Sequence, residues 1–178
     1  MDRRDVLRRL LGLGLIVGGW PLSWACSEAK PQGRGATPAG GVRVVKMGGP
    51  KGELVFSPDR LRIRVGETVR WVVESAGHST TAYHPQNHEG YHSRIPDGAQ
   101  PWNSGVLLQR GARFEHTFTV TGVYHYYCIP HEGAGMVGAI VVGETVDGPA
   151  MAPVQPEISP AARRKLEELI AWAKAPRS

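Results

Sequence analysis

From Gly41 onward, apolar and polar side chains alternate in short runs broken by turn residues. Leu61, Ile63 and Val65 interleave with Arg60, Arg62 and Arg64, which predicts a half-buried strand with a basic, solvated outer face. A turn at Gly66-Glu67 leads into Val69, Trp71 and Val73, which alternate again, with Trp71 read as core. Val42, Val44 and Met47 mark an earlier strand, and Phe114, His116, Phe118 and Val120 a later one that ends at Thr121-Gly122. Tyr124, Tyr126 and Cys128 share one face of the next strand, and the apolar run Met136–Val142 closes the set. Between Ser79 and Gly105 no period survives, so that stretch reads as a long loop or insertion, with Trp102 covering it. Many short strands separated by turns predict an all-β sandwich or barrel.

The two ends read differently. Ser159 followed by Pro160 is a helix start, and Leu166, Leu169, Ile170 and Ala173 fall on one helical face. An amphipathic helix over 158–175 is expected, docked on the edge of the sandwich after a linker at 147–157. At the other end, Arg3, Arg4, Arg8 and Arg9 precede an apolar run from Leu10 to Gly19, with small residues at Ser23 and Ala25. Residues 1–25 therefore read as an export signal, too short in its apolar part for a membrane span. Arg3-Arg4-Asp5-Val6-Leu7-Arg8 resembles a twin-arginine motif. Two readings of Cys26 stand: the lipidated cysteine of a lipoprotein, or an ordinary residue near the cut, at the head of a Pro/Gly linker over 26–41.

Composition changes this picture little, and charge changes it once. The 23 Gly and 14 Pro suit a turn-rich β fold. The net charge of +5 suggests an anionic partner, yet residues 42–156 carry ten basic and ten acidic side chains. The excess sits in the ends, and nucleic-acid binding loses its main support.

Export gives the second cysteine its meaning. In an oxidising compartment Cys128 has no evident disulfide partner, so it is either buried and inert or held as a thiolate by a metal. Cys128-Ile129-Pro130-His131-Glu132-Gly133-Ala134-Gly135-Met136 places a thiolate, an imidazole and a thioether within nine residues, between the last two strands. Soft sulfur combined with imidazole is what copper prefers, and two His with one Cys and a weak axial Met suit a copper that carries one electron. The second imidazole must come from elsewhere. His78, just after the strand that ends near Val73 and Gly77, is the candidate.

These stretches resemble the blue copper proteins of the plastocyanin, pseudoazurin and halocyanin group. The likeness rests on Phe56-Ser57-Pro58 through Trp71-Val72, and on Gly122 through Val142 with its Cys-Ile-Pro-His ligand loop, so it spans residues 42–146. It implies a Greek-key cupredoxin β-sandwich with a long insertion near the metal end, and one type 1 copper held by His78, Cys128, His131 and Met136. It also implies a monomeric, non-catalytic electron carrier in the periplasm or on the outer face of the cytoplasmic membrane. Its partners would be redox proteins such as a cytochrome or a membrane electron-transfer complex. Electrons would pass at the edge of His131, among Gly133, Ala134 and Gly135, with Tyr127 as a second route or a plain surface aromatic. The family often has Asn after its first His ligand. This chain has Ser79, whose hydroxyl is expected to replace that tie in part.

Other histidines carry weaker expectations. His84, His88 and His92 stand four apart, but Pro85 and Gly90 argue for a solvated loop rather than a metal-binding helix face. If they do bind, the alternative is a copper chaperone or storage protein. By strand parity, His125 is expected on the surface, and His116 in the core or at an edge. No two histidines are two residues apart, which disfavours a multicopper enzyme.

Overall fold

The computed structural model describes residues 40–75 and 77–176, so the predicted export signal, Cys26 and most of the linker predicted after it lie outside the described residues. Eight strands follow one another: β1 (Val42–Met47), β2 (Phe56–Ser57), β3 (Arg60–Ile63), β4 (Thr68–Val73), β5 (Thr81–Ala82), β6 (Arg113–Thr117), β7 (Gly122–Tyr127) and β8 (Val137–Val142). They form two four-stranded sheets, ordered β2-β1-β4-β6 and β3-β8-β7-β5. The pairs β1/β4 and β3/β8 run parallel, and the remaining neighbours are antiparallel. The sandwich is all-β as the pattern predicts, with one helix, α1 (Pro160–Lys174), after the last strand.

The inner faces meet in a core of Val45, Met47, Val69, Trp71, Phe118, Tyr124, Tyr126, Ile140 and Val142. Trp102 belongs to this core rather than lying over the insertion as expected. Its ring sits 5.6 Å from Trp71 and stacks on the half-buried His116 of the edge strand β6, and its Nε1–H donates to Thr80 Oγ1 at 3.0 Å. Gly138 is glycine because of close approach: a Cβ there would overlap the ring of Tyr126.

The outer face of the second sheet departs furthest from expectation. All six residues of β7 and all six of β8 are buried, so neither strand has a solvent side. The 3₁₀ turn Pro149–Met151 and helix α1 cover Val123, Val141 and Ala139, while Tyr83 and Tyr91 of the insertion pack with Tyr127. His125 and Tyr127 are therefore interior residues, not surface ones. The parity argument fails because it assumes a sheet wetted on one side.

Helix α1 thus lies on the sheet's outer face rather than at an edge. Ser159 caps it, its hydroxyl accepting from the Ala162 amide at 3.3 Å, and Ala162, Leu166, Leu169 and Ala173 face inward. Ile170 is only half-buried. At the far end Arg62 donates to the carbonyls of Trp172, Ala173 and Ala175 and lies 4.7 Å from the centre of the Trp172 ring. A cation on the last carbonyls complements the helix dipole. Arg60 is also half-buried and paired with Asp59, so only Arg64 keeps the solvated role expected of this basic face.

The segment at 147–157 is pinned. Arg94, 2% exposed, reaches out of the insertion and donates to the carbonyls of Ala150 (2.6 Å), Ala152 (3.0 Å) and Pro153 (3.3 Å). Its Nε–H donates to His125 Nδ1 at 3.1 Å. Burial, and then the neighbouring Arg94 charge, hold the His125 imidazole well below its ordinary pKa, so it is neutral. Gln155 adds a second tie, accepting from the His92 amide at 2.5 Å and donating to the Gly90 carbonyl at 2.7 Å. Among the described residues no helix is long and apolar enough to cross a membrane.

Candidate metal centre

Two ends of the second sheet and one end of the first converge at the 3₁₀ turn Ile129–Ala134. Cys128 immediately follows β7, at the head of the turn, and belongs to the core cluster. Pro130 sits in the first turn of the loop, and Gly135 closes it with φ +85°, the left-handed conformation that glycine adopts without strain. The Cys128 amide donates to the Met136 carbonyl at 3.0 Å, and the Met136 amide to the His131 carbonyl at 3.1 Å. These two bonds fold the loop back so that Met136 returns beside Cys128.

His78 comes from the segment between β4 and β5. After β4 the chain is held to the insertion by paired bonds, His78 N–H to the Leu107 carbonyl (3.3 Å) and Leu107 N–H to the His78 carbonyl (2.7 Å). His78, Cys128 and His131 present one ligand atom each, all within 4.8 Å of one another. Cys128 Sγ lies 3.7 Å from His78 Nδ1 and 3.4 Å from His131 Nδ1, and the two Nδ1 atoms are 3.2 Å apart. A triangle with those edges has a point about 2.0 Å from every corner, the length of a bond from imidazole to a first-row metal ion and a little short for thiolate. Two imidazoles and one thiolate in a trigonal set, with Met136 tied to Cys128 through its backbone, fit copper.

The surroundings suit such an ion. His78 and Met136 are each 1% exposed and Cys128 is fully buried, whereas His131 is half-buried with an edge at the surface. Burial pushes the Cys128 thiol above its ordinary pKa, and bonds from Ser79 pull it part of the way back. A metal is therefore needed to hold the thiolate at neutral pH. Burial, and then the nearness of His131, lower the pKa of His78, which favours the neutral imidazole that a metal ligand must be.

The Ser79 expectation is met directly. Its amide donates to Cys128 Sγ at 3.3 Å, and its hydroxyl accepts from the Ile129 amide at 2.7 Å, tying the head of the ligand loop to the His78 segment. Ser79→Ala is expected to leave the part-buried Ile129 amide without this acceptor, lowering the stability of the apo-protein by about 1 kcal/mol. Urea unfolding of the two proteins side by side checks this.

Sequence reasoning missed two supports of His78. Ser75 Oγ lies 3.1 Å from His78 Nε2, so with Nδ1 turned to the cluster the Nε2–H donates to the serine hydroxyl, fixing tautomer and ring plane. Gly48, at φ +80°, leaves room for both: a Cβ there would overlap Ser75 Oγ and His78. Ser75 stood three residues before the histidine as a readable hint, but nothing local marks Gly48. Among the described residues His84, His88 and His92 form no comparable group. His84 and His88 each accept, through Nδ1, an amide two residues on, and His88 stacks on Tyr91.

Comparison with known proteins agrees with this geometry. Residues 43–143 match the model of a family described as copper binding proteins, plastocyanin/azurin family. Plastocyanin of Synechococcus sp. (strain JA-2-3B'a(2-13)) is 33% identical over 141 residues, covering 75% of this chain and 90% of that protein. Plastocyanin of Scenedesmus fuscus is 37% identical over 101 residues, covering 55% of this chain and 96% of that protein. Among solved structures, pseudoazurin from Methylobacterium extorquens AM1 superposes with a TM-score of 0.60 at 28% identity, covering 75% of this chain and 99% of that one. With its sandwich, its His-Cys-His cluster and a family match across the whole sandwich, this chain belongs to the copper-binding plastocyanin/azurin family.

Proposed function

We propose that this protein is an exported blue copper electron carrier, a monomer with one copper held by His78, Cys128, His131 and Met136. The observation that carries the reading is the trigonal set of two Nδ1 atoms and one Sγ at copper-binding separations. Its relatives named plastocyanin and pseudoazurin support the same role. Copper bound there supplies a one-electron couple between its cupric and cuprous forms.

The chain's own residues make that couple usable. Cys128 and Met136, both buried, keep water from the sulfur side, and the two sheets fix donors that come from segments fifty residues apart. Donors that move little between oxidation states keep the reorganisation on electron transfer small. Of the four, His131 reaches the surface. Around it lie the exposed Ile129, Pro130, Gly133 and Ala134, while Val106 and Leu108 flank the residue paired with His78. This small, uncharged surface suits brief docking of a redox partner, a cytochrome or a membrane electron-transfer complex. Tyr127, by contrast, is enclosed by Tyr83 and Tyr91 and offers no surface of its own. Export to the periplasm or the outer face of the cytoplasmic membrane rests on the arginine-rich, apolar start of the chain.

Titrating the purified apo-protein with cupric ion tests the reading. One copper per chain, an intense visible thiolate-to-copper band and reversible one-electron cycling are expected. Two coppers per chain with slow cycling and ready loss to a chelator would instead favour a chaperone or storage protein acting through His84, His88 and His92.

A further inference from the structure

Glu132 follows His131 in the ligand loop and is only 8% exposed. A buried carboxylate is costly unless it is paired or well hydrogen-bonded, and no ion pair to Glu132 occurs among the described residues. Its partners are neutral. The Tyr83 hydroxyl donates to Oε1 at 3.3 Å, and the Ser159 amide donates to the same oxygen at 3.3 Å. The Ser159 hydroxyl, which caps α1, also donates to the Glu132 backbone carbonyl at 3.1 Å, and the Gly135 amide donates to that carbonyl at 2.8 Å. One residue thus accepts the start of the C-terminal helix at both its carboxylate and its carbonyl, directly beside the half-exposed imidazole. The positive end of the helix dipole compensates the carboxylate.

We infer that Glu132 is a positioning residue that couples helix α1 to the copper site, fixing the loop that carries His131 and setting a negative charge beside it. The inference rests on the electron-carrier reading above. Its two parts separate chemically. The acceptor geometry makes the helix part of the site's frame, which a glutamine would largely keep. The charge favours the more positive oxidation state of a bound ion, and a glutamine would remove it.

The test compares Glu132→Gln, Glu132→Ala and Ser159→Ala in the full chain. In the copper-loaded protein, Glu132→Gln is expected to raise the midpoint potential. The ratio of cupric to cuprous affinity should fall roughly tenfold, the size one charge within about 10 Å exerts at an effective dielectric near 20. In the apo-protein, Glu132→Ala removes the acceptor of the Ser159 amide and is expected to speed its hydrogen exchange, and through the released loop that at Gly135 and Met136, by roughly fivefold, the size of one net hydrogen bond. The amides of β7 should be unaffected, and Ser159→Ala, which loses the hydroxyl bond to the Glu132 carbonyl, should reproduce the change at Gly135 and Met136. An unchanged potential in Glu132→Gln overturns the inference. So does unchanged exchange at Gly135 and Met136 in Glu132→Ala or, should that variant not fold, unchanged exchange at the same two amides in Ser159→Ala. A wild-type protein that takes up copper without colour or a one-electron couple would sink the carrier reading instead, and the apo exchange data would still judge the latch.

Discussion

Cys128→Ser is expected to abolish the intense visible absorption of the copper-loaded protein. The band requires charge transfer from a thiolate, and the hydroxyl that replaces it is a hard, weakly acidic donor. His78 and His131 would remain, so weak copper binding can persist without colour. The apo-fold should survive, because Cys128 anchors no disulfide and the Ser79 amide that now donates to Sγ can donate to a serine oxygen. Absorption after cupric loading reads the first effect, and circular dichroism with urea unfolding reads the second. Retained colour would remove Cys128 from the ligand set.

Arg94→Ala is expected to carry the largest stability cost of any polar substitution. The guanidinium donates to three backbone carbonyls and to His125 Nδ1, and all four acceptors lose their donor when it is removed. At about 1 kcal/mol each, together with the void left behind, the loss should be roughly 3–5 kcal/mol. Burial pulls the Arg94 pKa down to about 10, which leaves it charged at neutral pH. Among the described residues no carboxylate forms an ion pair with it, so carbonyl dipoles and the neutral His125 imidazole hold the cation. Arg94→Lys should recover only a small part, since one ammonium cannot span the fork of acceptors. The midpoint of guanidinium chloride unfolding measures this. A loss below about 1 kcal/mol would mean that α1 and the Pro149–Met151 turn hold without the clamp.

The contrast between these two residues shows what a sequence reveals. Cys128, His131 and Met136 are legible because one short loop carries them, and a loop's chemistry is local. His78 is legible because it follows a strand whose alternation is clean. The buried phase of β4 can be read for the same reason: Arg70 and Val72 point outward while Val69, Trp71 and Val73 point inward. β1 is harder. Four of its six residues are apolar, and the structure buries Val45 and Met47 while leaving Val42 and Val44 exposed. Charge at Arg43 and Lys46 sits on opposite parities and decides nothing. In β7 the residues between the core tyrosines are Val, His and Tyr, a composition equally suited to a wet face or a second interior. Only the covering segment settles which. Arg94, Glu132 and Ser159 act across 27 to 59 residues of chain, and no window of local pattern spans that distance.

The parallel pairing of β3 with β8 also governs how the molecule assembles. Arg60 lies opposite Ala139, seventy-nine positions later, and β1 joins β4 across β2 and β3, which belong to different sheets. Loops this long must close before any ladder rewards them, which places the chain among slow-folding topologies of high contact order. During synthesis, β3 waits as an unpaired edge until nearly the whole sandwich has emerged. The ladder that completes it is continuous with the loop bearing three of the four proposed donors, so a finished pocket and a finished sheet arrive in the same late event.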